Sequence, residues 1–106
     1  MTDERARARL GEEWREHLRL AMLLLLREAP EFSANASLIG DVLRGQRFRF
    51  GCTQSQVRAE LDWLADAGLV RVEDLERLTV ATLTERGSDV ALGLATVTGV
   101  KRPAPM

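Results

Sequence analysis

The stretch from Thr53 to Val72, TQSQVRAELDWLADAGLVRV, constrains the fold of this chain more than any other. Thr53 has the side-chain oxygen of a helix N-cap, and Gln56, three residues on, can return a bond to the cap backbone and close a capping box. A helix therefore starts here. Val57, Leu61 and Leu64 recur at helical spacing and give it one apolar face. Gly68 supplies the left-handed turn that ends it, and Leu69, Val70 and Val72 read as a strand. Helix, glycine and strand in this order are the core of a winged helix-turn-helix. In that architecture this helix faces DNA, with Gln54, Ser55 and Arg58 near its start and turned away from the core.

At 106 residues the chain accommodates one core and one domain. A hydrophobic content of 45% with 29% charged residues argues against disorder and against a membrane class. The net charge of -1 weighs against nucleic-acid binding unless positive charge is segregated on one face. A single cysteine excludes an internal disulfide framework and a cysteine-rich zinc site, and it suits a reducing cytoplasm. Leu18–Leu26 is the most apolar stretch, but Arg19 interrupts it and Arg27 ends it, well short of the ~18 to 20 residues of a membrane span.

The spacing predicts a long first helix from about Glu4 to Glu28, ended by Pro30. Leu10, Trp14, Leu18, Ala21, Met22 and Leu25 mark one face. Leu20, Leu23, Leu24 and Leu26 fall largely on others, so the second half is apolar nearly all round. Either the following elements surround it, or a second copy covers the remainder; the reading favours a homodimer through this helix. Phe32–Ala34 reads as a short extended segment. Asn35 or Ser37 caps a second helix with Leu38, Ile39, Val42 and Leu43 inward and Gly45 at its end.

The following segment, RGQRFRF from Arg44 to Phe50, alternates aromatic and basic residues. In an extended conformation Phe48 and Phe50 point one way while Arg47 and Arg49 point the other. The rings can dock on the core with the arginines solvated, or Arg44, Arg47 and Arg49 can clamp phosphates ahead of the central helix. Beyond that helix, Val70 and Val72 form one wing strand. A second runs through Leu78, Val80 and Thr82, with Asp74–Arg77 as the tip. Thr84 caps a last helix from Glu85 to about Leu94, with Val90 and Leu94 inward. Residues 1–95 thus form the winged domain and 96–106 a tail, TGVKRPAPM being extended and without helix.

Chemistry narrows by elimination. His17 and Cys52 are single and not arranged as metal ligands or as nucleophile and base; no serine has a nucleophile-elbow frame, and no phosphate-binding glycine loop occurs. The expectation is no enzyme, no cofactor and no metal. Binding remains. Arg5, Arg7 and Arg9, the Arg44–Arg47–Arg49 group, and Lys101 with Arg102 offer positive charge for phosphates. Against them stand Glu60, Asp62 and Asp66 on the central helix, and a tip carrying Glu73, Asp74 and Glu76 offset by Arg77. Trp63 lies at the flank of the apolar face, placed to pack on the first helix or the tail.

Taken together, NASLIGDVL, QVRAELDWLADAGLV, VATLTERGSDVALG and the terminal GVKRPAP resemble a family of small winged-helix proteins of Mu-like phages and prophages, commonly labelled ArsR-like transcriptional regulators. The resemblance runs from the first helix to the tail. It implies a mainly α fold with a small β-wing and a long N-terminal helix. It further implies a cytoplasmic phage or prophage protein with a regulatory role; with the residues above, the first reading is a dimeric regulator acting on double-stranded DNA. It does not imply a metal sensor, since the cysteine and histidine ligands of metal-sensing ArsR proteins have no counterparts in this sequence. The alternative is a winged-helix protein-interaction module, without DNA binding, serving phage assembly or binding a host protein.

Overall fold

A computed structural model describes residues 3–104. Its elements are α1 (Asp3–Glu28), a 3₁₀ turn (Pro30–Phe32), β1 (Ser33–Asn35), α2 (Ala36–Arg44), α3 (Gln54–Asp66), β2 (Val70–Leu75), β3 (Leu78–Leu83) and α4 (Glu85–Ala91). The described residues thus form four α-helices and one three-stranded antiparallel sheet in the order β1-β3-β2. Glu76 and Arg77 make a two-residue turn between β2 and β3, and Leu75 pairs with Leu78 across it. No described helix is long and apolar enough to cross a membrane.

Local sequence sets the helix starts. Asn35 caps α2 by accepting the Leu38 N–H at 2.8 Å, and Thr84 caps α4 by accepting the Gly87 N–H at 3.0 Å. The capping box of α3 is complete: Thr53 Oγ1 accepts the Gln56 N–H at 3.1 Å. In return, the Thr53 N–H donates to Gln56 Oε1 at 2.8 Å. Gly68, at φ +77°, makes the left-handed turn from α3 toward β2.

One face of each helix meets in a shared core. Leu18, Met22, Leu23 and Leu26 of α1, Ile39 and Leu43 of α2, Val57, Leu61 and Leu64 of α3, and Leu69 are fully buried. The second half of α1 is therefore covered within one chain. Leu20 and Leu25 are also buried and Leu24 is half-buried, so these leucines give no exposed patch for a second copy. The α2 face is narrower than its apolar residues suggest: Leu38 is 51% and Val42 36% exposed. Helix α4 stops at Ala91, before Leu94 can turn inward, and Leu94 is 74% exposed. In β3 the buried pair is Ala81 and Leu83, with Leu78 outside.

The segment RGQRFRF is not extended. It folds into a turn in which the Phe50 N–H donates to the Leu43 carbonyl at 2.8 Å, and Arg49 takes a left-handed φ of +57°. The period-two separation of rings from arginines is lost with the strand geometry. Phe50 packs edge-on against Trp14, with ring centroids 5.9 Å apart, so the rings dock on the core as one of the two readings required.

The tail is bound to α1 and α3. Residues 97–100 turn, with Val100 buried, and the Lys101 N–H donates to the Glu16 carbonyl at 3.2 Å. Residues 101–104 have no regular structure; the extension expected for Pro105 and Met106 lies outside the described residues. Arg19 Nη1 donates to the Gly99 carbonyl at 2.8 Å. The Arg19 guanidinium also lies 4.0 Å over the Trp63 ring, so Trp63 contacts both the first helix and the tail.

Candidate nucleic-acid interface

The start of α3 is a run of exposed polar residues, Thr53–Gln56, on a backbone fixed by the capping box. Of the six residues singled out for DNA contact, Gln54 and Ser55 lie here, Arg58 one turn further along α3, Arg47 and Arg49 in the preceding turn and Arg44 at the end of α2, and their side chains differ in freedom. Gln54 donates from Nε2 to the Ala36 carbonyl at 2.6 Å. Its Oε1 accepts from Arg44 Nη2 at 3.2 Å. This amide braces α3 on the first turn of α2. Gly40 makes the brace possible, since a methyl group there would meet the side chains of both Gln54 and Arg44.

Arg44 is likewise a brace. Besides Gln54, it donates from Nη1 to the Cys52 carbonyl at 3.0 Å and from Nη2 to Asp41 at 3.3 Å. Arg47 forms a bidentate pair with Glu28 at the end of α1 and stacks 4.8 Å over Phe48. The hydrogen bond raises the Arg47 pKa above its ordinary value and lowers that of Glu28. Ser55 and Arg49 are exposed and, among the described residues, have no side-chain hydrogen bond or ion pair. Arg49 shares a shallow hollow with Arg44, Gly45, Gln46, Phe50 and Gly51, directly before the α3 cap.

Arg58 does not point freely from the helix. Its Nη1 and Nη2 grip both oxygens of Asp74 on β2, at 2.9 and 3.0 Å. Its Nε donates to Asp62 at 3.1 Å, and Thr79 Oγ1 accepts from Nη1 at 3.1 Å. Four of its five N–H groups are engaged. The Asp74 hydrogen bonds lead in raising the Arg58 pKa, and Arg58 leads in lowering that of Asp74. Arg58 is a strut between α3 and the β2–β3 hairpin.

The electrostatic objection to an anionic partner also changes. Glu60 is buried, its Oε1 accepting from Arg19 Nε at 2.6 Å. It adds nothing to the exposed face of α3. The signal was present in the sequence: Glu60 falls three residues after Val57 and four before Leu64, on the buried stripe, and Arg19 inside an apolar run requires a carboxylate partner. Asp74 is held by Arg58. That leaves Glu73 and Glu76 at the tip offset by Arg77, with Arg71 further back on β2. Phosphate repulsion by the hairpin is weaker than the bare residue count implies.

No family model matches the sequence. Over 90 residues it is 43% identical to "Uncharacterized protein gp26" of Escherichia phage Mu, an alignment covering 85% of this chain and 91% of the phage protein.

Proposed function

This chain belongs to the family of the Mu phage protein gp26, and from that premise we propose that it is a phage or prophage DNA-binding regulator of the winged-helix type. The order α1-β1-α2-α3-β2-β3, with a tight hairpin after α3, supports this reading, being compatible with a winged helix-turn-helix. In it α3 enters the major groove by its N-terminal turn while the preceding turn rests on the backbone. The observation that carries the reading is the exposed, capped first turn of α3 beside an exposed arginine, Arg49, that has no ion pair among the described residues. Ser55 faces base edges, and Arg49 takes a phosphate. Gln54 and Arg44 hold the geometry and reach the nucleic acid only by exchanging their present partners. Arg58 keeps the hairpin on α3.

Titration of a labelled random-sequence duplex at low and rising salt tests this. Binding should weaken with salt, and the slope of log K against log salt should fall by about 1 for each phosphate contact removed. The double substitution Arg47→Ala, Arg49→Ala should lower that slope through the loss of Arg49, Arg47 being paired with Glu28. Absence of binding at low salt, or binding indifferent to both substitutions, would overturn the DNA reading in favour of the protein-interaction module.

A further inference from the structure

The first turns of α1 project from the domain and carry sorted charge. A 26-residue helix is about 39 Å long, and the whole molecule is 46 Å in its longest dimension. Between Asp3 and Leu10 only Ala6 is even half-buried, and Leu10 is 67% exposed. At 3.6 residues per turn, Ala6, Leu10, Glu13 and His17 fall within an arc of about 60°. Leu10 and His17 line a shallow groove that continues to Trp14 and Phe50. After Asp3 and Glu4 in the first turn, Arg5, Arg7 and Arg9 precede Leu10, whereas Glu12, Glu13 and Glu16, with Arg15 among them, follow Gly11. Glu12 is held by Arg15 at 2.8 Å and lies 3.6 Å from Arg19. Among the described residues, Arg5, Arg7, Arg9, Glu13 and Glu16 have no ion pair.

We propose that this arm pairs antiparallel with the same arm of a second copy, about a twofold axis near Leu10 and Gly11. Reversal of direction brings the arginine end of each helix against the glutamate end of the other, Arg5 opposite Glu16 and Arg9 opposite Glu13. A parallel pair would set like charges side by side. The two Leu10 side chains close over the apolar groove at the centre. This surface differs from the leucine-rich half of α1, which the chain covers by itself. About a dozen residues per copy is less than a standard interface of roughly 20–30 a side, and exposed ion pairs supply part of the attraction, so the dimer is weak and sensitive to salt.

Sedimentation velocity of the full chain, with no DNA present, tests the pairing independently of the proposed function. Wild type should shift from monomer to dimer across the micromolar range at low salt and return toward monomer at high salt. The variants Arg5→Glu with Arg9→Glu, and Glu13→Arg with Glu16→Arg, should each raise the dimer dissociation constant by about tenfold or more. Circular dichroism should show both folded, since the changed side chains are solvent-facing or only half-buried. Mixed one to one, the acidic and basic variants should form a heterodimer tighter than either homodimer. A wild type that stays monomeric at high micromolar concentration would overturn the pairing. So would reversed variants that dimerise like wild type, or a mixture that stays monomeric.

Discussion

Replacing Glu60 by alanine leaves the Arg19 guanidinium buried with its strongest partner gone. The two side chains are 6% and 10% exposed and meet at 2.6 Å. Loss of one member of a buried ion pair costs about 3–5 kcal/mol, because the remaining charge stays desolvated. Two contacts persist: the Gly99 carbonyl at 2.8 Å and half-exposed Glu12 at 3.6 Å. Glu12 can draw closer, which places the cost at the lower end, about 3 kcal/mol. That is a large part of the roughly 5–15 kcal/mol that holds a domain folded. Urea unfolding followed by tryptophan fluorescence measures it, Trp63 lying against Arg19. With an m value of about 1–1.5 kcal/mol/M, the midpoint should fall by about 2–3 M. The double substitution Arg19→Met, Glu60→Leu buries no charge and should regain most of the loss. The reasoning fails if Glu60→Ala costs less than about 1 kcal/mol, or if the apolar double variant is as unstable as the single one.

Arg49→Gly should raise stability by about 0.5–1 kcal/mol by relieving the left-handed backbone, while weakening duplex DNA binding; a stabilised variant with unchanged binding would remove Arg49 from the interface. Gly68→Ala and Gly87→Ala separate backbone strain from crowding. At Gly68 a methyl group meets nothing within 4 Å, so unfolding should show only the left-handed penalty of about 1 kcal/mol. At Gly87 it meets the Leu69 carbonyl and, at 2.7 Å, Leu83 Cδ1, and overpacking should cost about 2–3 kcal/mol. Asp74 titrates below its ordinary range because Arg58, and then Thr79, hydrogen-bond its carboxylate. Its folded pKa is lowered, so its contribution is complete above the unfolded value of about 3.9 and is lost as pH falls through the lower folded value. Unfolding midpoints of wild type and Asp74→Asn should therefore differ near neutral pH and converge in acid; parallel curves would refute the pairing.

The chain's own sequence determined those features that depend on residues three or four apart. Asn35, Thr53 and Thr84 cap the helices whose first turns they precede, because a short polar side chain reaches only the N–H groups of the adjacent turn. Gly68 turns the chain toward β2 because its left-handed φ carries no side-chain penalty. Glu60 shares the buried stripe with Val57, Leu61 and Leu64, a fact legible in the spacing once Arg19 is recognised as needing a carboxylate.

Tertiary structure decided the rest, since periodicity identifies an apolar face and not what will cover it. Only packing shows that one chain encloses the leucines of α1 while leaving Leu38 and Leu94 outside. The charge map of the candidate interface depended on contacts between distant segments: Arg47 with Glu28, Arg58 with Asp74, and Arg19 with Glu60. Each withdraws a charge that the sequence presents as free, and together they leave Ser55 and Arg49 as the open groups at the start of α3. The turn through RGQRFRF follows the same logic. Its alternation is compatible with a strand, but Phe50 gains the Leu43 carbonyl and the edge of Trp14 only when the chain folds back, and that long-range packing overrides the local period.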